Sequence, residues 1–244
     1  MIKVKNLTKT FGKVEAVKNI SFEVNDGEIV GLLGENGAGK TTTLRMIATM
    51  LKPTEGTCSV NGYDSLKESS DVRDEIGILF GGEVGLYDRL TARENIRYFA
   101  MLNGLSKEEA DKNINNLSKL LDMEEYIDRK VGKFSRGMKQ KVAIARSIVH
   151  NPSVMLFDEP TIGLDVTSSR IIQNFILKCK REKKAIIFSS HSMSEVEKIC
   201  DRVIIINKGE VVENSTIEKL KEKYNDDNLE DVFVELIGGD VLEL

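Results

Sequence analysis

The stretch EIVGLLGENGAGKTTTLRMI, Glu28 to Ile47, constrains this chain more than any other. An apolar, β-branched run reads as a buried strand, and Gly39 to about Leu51 reads as a helix. Between them GENGAGKT, Gly34 to Thr41, fits the phosphate-loop pattern in the strand-to-helix context that the pattern requires. Its glycines let the backbone curl so that successive N–H groups point at a polyphosphate, and the helix N-terminus adds its positive end to the same anion. The nucleotide-binding candidates are therefore Gly34, Asn36, Gly37, Ala38, Gly39, Lys40, Thr41 and Thr42. Lys40 would reach the β- and γ-phosphates, and the Thr41 hydroxyl would ligate Mg²⁺. A ligand-free glycine turn is the plain alternative, and the placement between strand and helix argues against it.

A second motif, VMLFDEP from Val154 to Pro160, drives an apolar strand into two acids. Paired carboxylates at a buried strand end are costly unless they have charged work to do. In P-loop NTPases the acid ending such a strand holds Mg²⁺, which casts Asp158 as a metal ligand together with Thr41. Glu159, the next residue, points differently and is suited to take a proton from an attacking water. A solvated loop after a strand is the alternative for this pair taken alone.

The rest of the chain follows an α/β grammar. Strands IKVKNLT, AVKNISFEV and EIVGLLG precede the first helix, a turn at KPTEGT leads to a strand near CSVNG, and IGILF follows. TARENIRYFAMLNG, SKEEADKNINNLSKLLD and SRGMKQKVAIARSIV then carry helical spacing, which reads as an inserted helical subdomain. From Pro152 the alternation of strand and helix resumes, which predicts a largely parallel sheet covered on both faces. The expected division is an α/β core from 1–85 and 151–224, a helical subdomain at 86–150, and a short acidic helical tail at 225–244.

Composition excludes several classes. The 244 residues are 41% hydrophobic and 30% charged, with net charge -4, so the basic footprint of a nucleic-acid binder is missing. Cys58, Cys179 and Cys200 are odd in number and have no accompanying His cluster, which disfavours a disulfide framework or a zinc site and fits a reduced cytosolic compartment. No apolar stretch is long enough to span a bilayer, and MIKVKNLTKTF carries charges where a signal peptide would be apolar.

FSRGMKQKVAIARSIVHNP, Phe134 to Pro152, begins a helix with Ser135 as cap and Gly137 in its first turn, a weak anion site by itself. Taken together, GENGAGKT, FSRGM, LFDEP, TIGLD and SSHSMSEVE resemble, in order and spacing, the motifs of the ATP-binding subunit of an ABC transporter. The resemblance covers nearly the whole chain and implies a P-loop NTPase (RecA-like) core with an N-terminal antiparallel β subdomain and an inserted helical one.

It also implies an ATPase with ATP and Mg²⁺ as ligands. His191 in SSHSMSEVE falls where the family places a histidine against the γ-phosphate, joining Glu159 and Lys40 as catalytic candidates. Phe11 in LTKTFG matches the aromatic on which adenine stacks, with rim packing as the alternative. Asp165 in TIGLD matches the loop that communicates between paired sites. In the family two cassettes face each other head to tail, so Ser135 and the N–H of Gly137 would act across the interface on a second copy's ATP. The implied partners are that second copy and an integral membrane permease, not nucleic acid, and the implied location is cytoplasmic, peripheral on the inner face of the cell membrane.

Two departures stand out. FSRGM has Arg136 where the familiar LSGGQ signature has glycine and Met138 where it has glutamine; Arg136 would point toward an anion or toward solvent. The family normally ends the IGILF-type strand with a glutamine, but the only two here are Gln140 and Gln173. Gly81 or Gly82 takes that place, and Glu83 after it would approach the Mg²⁺ and water, salt-link to the permease, or lie in solvent. GGEVGLYDRLTARENI and NLEDVFVELIGG look most like the sodium-efflux group of two-component exporters, with drug, lipid or peptide exporters as the alternative. A non-transport ABC ATPase acting on nucleic acid or ribosomes, and a nucleotide-binding regulator without turnover, are the readings from other classes.

Overall fold

The computed structural model describes residues 1–81, 85–226 and 228–238. The chain begins with β1 (Ile2–Phe11) and β2 (Val14–Val24), and continues through β3 (Ile29–Leu33), α1 (Lys40–Ile47), β4 (Glu55–Val60), β5 (Tyr63–Asp64), α2 (Ser69–Glu75) and β6 (Ile76–Leu79). Three helices follow, α3 (Ala92–Leu102), α4 (Lys107–Leu120) and α5 (Arg136–Ile148). Then come β7 (Val154–Asp158), α6 (Val166–Arg181), β8 (Ala185–Ser189), α7 (Met193–Ile199), β9 (Arg202–Asn207), β10 (Glu210–Thr216), α8 (Ile217–Tyr224) and α9 (Leu229–Leu236).

Two sheets form. A small antiparallel sheet runs β2-β1-β4-β5, and a larger one runs β10-β9-β3-β8-β7-β6. Within the larger sheet only the β10–β9 pair is antiparallel. Every residue of β3, β7 and β8 is buried, as expected of parallel strands covered on both faces. The period of two sorts their side chains between two cores. Ile29, Leu33, Met155, Phe157, Ile186 and Phe188 join the core under the helices α3 to α9. Val30, Leu32, Val154, Leu156 and Ile187 join the core against α1, α2 and the small sheet.

The larger sheet positions the site. β3 lies between β9 and β8, and β8 lies beside β7, so the loops leaving the C-terminal ends of β3, β7 and β8 emerge side by side. That end of a parallel sheet is where open α/β folds bind ligands. The first helix is shorter than the spacing predicts, ending at Ile47, where Ala48 leaves helical geometry and Thr49 takes a left-handed φ of 60°. The strand near CSVNG begins earlier, at Glu55, because Glu55 pairs with Thr8 and Thr57 with Lys5 of β1.

The inserted helices carry strong local start signals. Thr91 and Ser106 each form a reciprocal capping box, with Glu94 and Glu109, at the starts of α3 and α4. α5 packs on α3, α4 and β6, which fixes the helical unit to the sheet. The three thiols are free, and burial pushes Cys58 and Cys179 up to about 12. Among the described residues no helix is long and apolar enough to cross a membrane.

Candidate functional site

The loop after β3 is closed by its glycines. Gly34 has φ 151° and a Cβ there would lie 2.3 Å from the Ile206 carbonyl; Gly39 has φ 113° and its Cβ would lie 2.6 Å from the Ala16 carbonyl. No other residue fits either position without moving backbone. A cleft of about 120 Å³ is lined by Glu35, Asn36, Gly37, Gly39, Lys40, Thr41, Thr42 and Glu159. Of the loop candidates, Gly34 and Ala38 lie outside that lining; the Ala38 carbonyl accepts from the Gly209 N–H at 3.0 Å and so ties the loop to the β9–β10 turn.

Lys40 is buried at 6% exposure, with Nζ donating to the Gly34 carbonyl at 2.5 Å and the Glu35 carbonyl at 3.0 Å. Burial lowers its pKa, opposed by the charges of Glu159, Asp158 and Glu35. The ammonium thus sits in the field of three carboxylates.

Both acids come from the end of β7. Asp158 pairs in register with Ser189. Its Oδ1 accepts from Ser189 Oγ at 2.6 Å and its Oδ2 from Thr41 Oγ1 at 2.7 Å. A hydroxyl and a carboxylate in contact form a hard-oxygen pair suited to Mg²⁺. Among the described residues no group of three or more His, Cys, Asp or Glu side chains is placed to hold a metal unaided. An ion here would therefore take its remaining ligands from phosphate and water, as Mg²⁺ commonly does.

Glu159 occupies a left-handed backbone conformation, φ 51°, held by its N–H donating to Ser189 Oγ at 3.0 Å and to the Ser189 carbonyl at 3.2 Å. Its Oε1 pairs with His191 Nε2 from the loop after β8. The strand order therefore brings Lys40, Thr41, Asp158, Glu159 and His191 together from three loops.

The other candidates stand apart from that cleft. Ser135 is exposed and caps α5 by accepting from the Met138 N–H at 3.2 Å. Gly137 is buried against α6, where a Cβ would lie 2.5 Å from Ser168 Oγ. Asp165 caps α6, accepting from the Ser168 N–H at 2.8 Å and Ser168 Oγ at 2.7 Å. Phe11 is 48% exposed at the end of β1, opposite Val14, with the Lys9 ammonium 5.0 Å from its ring centroid. One face of that ring is thus occupied by a cation. Arg136 is exposed, and its guanidinium also lies against Gly163, where a Cβ would be 2.3 Å from Nη1.

At the opening stretch, Gly81 lies against the site, its Cβ position 3.1 Å from the Asp158 carbonyl and 3.4 Å from Glu159 Cβ. Gly82 and Glu83 lie outside the described residues. Sequence reasoning missed Ser189, which organises both Asp158 and Glu159, and Gln140, whose Nε2 donates to the Pro160 carbonyl at 2.8 Å and joins α5 to the acid loop. The register of β7 with β8 reveals the first; no local signal marks the second.

Strand order, phosphate loop and paired acids define a P-loop NTPase. The family model described as ABC transporter matches residues 17–162. The chain is 52% identical over 227 residues to the ABC transporter ATP-binding protein NatA of Bacillus subtilis, covering 93% of this chain and 92% of that relative. The solved ATP binding subunit of an ABC transporter superposes with TM-score 0.88 at 29% identity, covering 97% of this chain and 99% of the other. A dimeric ATP-binding cassette in a post-hydrolysis state, bound to ADP and Pi, superposes with TM-score 0.81 at 29% identity, covering 89% and 99%. The chain belongs to the ABC transporter family and is an ATPase of that family.

Proposed function

We propose that this chain powers export through a separate membrane permease, hydrolysing ATP between two copies of itself arranged head to tail. The observation that carries the hydrolytic site is the convergence of Lys40, Thr41, Asp158, Glu159 and His191 at the ends of adjacent parallel strands. Phosphates of ATP lie over the loop from Gly34 to Thr42, whose backbone N–H groups and helix end receive the charge. Lys40 exchanges its carbonyl partners for phosphate oxygens. Thr41 and Asp158 would hold Mg²⁺, whose charge would supply electrostatic stabilisation to the phosphates. Glu159 accepts the proton of the attacking water, and His191 fixes Glu159 while facing the γ-phosphate.

Phe11 stacks on adenine with its free face. Ser135 and the N–H of Gly137 donate to the γ-phosphate of the partner copy, and Asp165 lies in the loop facing the partner site. That a 29% identical cassette forms a dimer bound to ADP and Pi supports two copies acting together. Loss of the γ-phosphate removes the anion that holds the two copies together. The permease dock is the exposed apolar patch of Tyr87, Tyr98, Met101 and Leu102, on α3 and the segment before it. Tyr87 and Tyr98 meet edge to face with centroids 5.7 Å apart, a preformed aromatic surface. That contact would hold the chain at the cytoplasmic face of the membrane. Sodium is the first solute to assay, on the resemblance of the α3 region and tail to sodium-efflux cassettes, with drugs, lipids and peptides next.

The test is Glu159→Gln. ATP binding persists, hydrolysis falls by about 10²- to 10⁴-fold as for loss of a general base, and the protein accumulates as a dimer with ATP and Mg²⁺ in sedimentation. A variant that binds ATP with Mg²⁺ and stays monomeric overturns the clamp. Sodium and drug fluxes in vesicles holding chain and permease, with Lys40→Ala as control, identify the solute.

A further inference from the structure

Glu195, in the first turn of α7, lies outside the phosphate-loop cleft, yet its carboxylate gathers three elements. Oε2 accepts from Thr161 Oγ1 at 2.7 Å and from Ser190 Oγ at 2.8 Å, and Oε1 accepts from Gln173 Nε2 at 2.9 Å. The location of each donor gives the cluster its meaning. Ser190 precedes His191, and the same hydroxyl accepts from the Ser192 N–H at 3.1 Å, so one oxygen staples the turn that presents His191. Thr161 stands two residues after Glu159 and opens the loop to Asp165. Gln173 belongs to α6, the helix that Asp165 caps.

Thr161 and Ser190 are each only 7% exposed, so water is a poor substitute partner for either hydroxyl. The loops so joined line an open cavity of about 250 Å³ whose lining includes Glu159, Gly163, Leu164, His191 and Glu195. An ionised acceptor makes hydrogen bonds roughly twice as strong as neutral ones, and three of them from separate segments make a fixed point.

We propose that Glu195 is a positioning residue for hydrolysis, clamping the His191 turn to the start of the Thr161–Asp165 loop so that His191, Glu159 and the loop facing the partner copy move as one body. This rests on the roles proposed above for His191 and Glu159. Glu195 touches no nucleotide and acts through His191. A shift of the dimer-facing loop is thereby carried to the γ-phosphate end of the site.

ATP hydrolysis by the purified chain, with thermal unfolding measured in parallel, tests this with Glu195→Ala, Glu195→Gln, Ser190→Ala, His191→Ala and the double variant Glu195→Ala/His191→Ala. Glu195→Ala should lower kcat about tenfold with KM changed less than about twofold, and Glu195→Gln should recover most of that loss because an amide oxygen still accepts. Ser190→Ala, which removes one donor and leaves the rest, should fall between them and keeps the test open if Glu195→Ala does not fold. The double variant should be no slower than His191→Ala alone, since the contribution travels through the histidine. His191→Ala hydrolysing at the wild-type rate overturns the underlying reading of His191. A slow His191→Ala beside wild-type rates for Glu195→Ala and Ser190→Ala overturns this inference alone. So do multiplicative losses in the double variant, or a rise in KM at unchanged kcat.

Discussion

A Cβ on Gly137 would lie 2.5 Å from Ser168 Oγ and 3.1 Å from Ser168 Cβ, so this glycine has work within its own chain before any second copy arrives. Gly137→Ala should destabilise the isolated protein by about 1–3 kcal/mol, as overpacking does, read from urea unfolding. Ser168→Ala added to it should restore part of the loss by removing the nearer atom. A glycine kept only for its N–H would show neither effect. Glu159 shows the converse case, a side chain retained at φ 51° where glycine would be at ease. Such a conformation costs on the order of 1 kcal/mol and persists because Ser189 holds the N–H from both its hydroxyl and its carbonyl. In the proposed mechanism the carboxylate is needed at that turn, and the backbone carries the strain.

At the scale of elements, helix starts are written locally and helix partners are not. The boxes S-x-x-E at Ser106 and T-x-x-E at Thr91 satisfy donors within one turn, so neighbours in sequence suffice to place α3 and α4. Ser106→Ala should cost about 1 kcal/mol of stability and leave ATP affinity unchanged, measured by denaturation and nucleotide titration on the same sample; a change in affinity would place α4 closer to the nucleotide than this fold does. The phosphate loop is legible for the same reason, since its glycines, Lys40 and Thr41 act within eight residues. Arg136 against Gly163 and Gln140 on the Pro160 carbonyl join α5 to the loop after β7, across more than nineteen residues of chain. No local pattern encodes where those two segments meet. The FSRGM departure thus becomes intelligible only in three dimensions, as a contact between the signature helix and the TIGLD loop.

Across the whole molecule, the helical unit and the sheet meet at His150. Its Nε2 lies 3.2 Å from the Ile76 carbonyl, while Nδ1 is buried and has no partner among the described residues. Burial lowers its pKa below the ordinary 6.5; the Ile76 carbonyl and Asp74 oppose that shift, and Lys184 adds to it. The unfolded chain therefore takes up this proton first, and stability falls as pH drops below 6.5 until the folded pKa is passed. His150→Gln should flatten that limb by up to about 1.4 kcal/mol per pH unit, measured by denaturant titrations at a series of pH values. An unchanged slope would mean that the ring is solvated.

The sequence by itself determined the phosphate loop, the paired acids, the histidine and the alternation of strand and helix, because each is a run of neighbours whose chemistry or period needs no distant partner. Only the tertiary structure decided that β3, β8 and β7 lie side by side, and with that which candidates share one site. Strand order comes from packing two apolar faces at once, and a residue such as Val30 or Phe157 carries its burial in the sequence but not the identity of its neighbour. Ser189 and Glu195 show the consequence: ordinary polar residues when read along the chain, they become the points that fix the acids and the histidine once distant segments are brought within hydrogen-bonding distance.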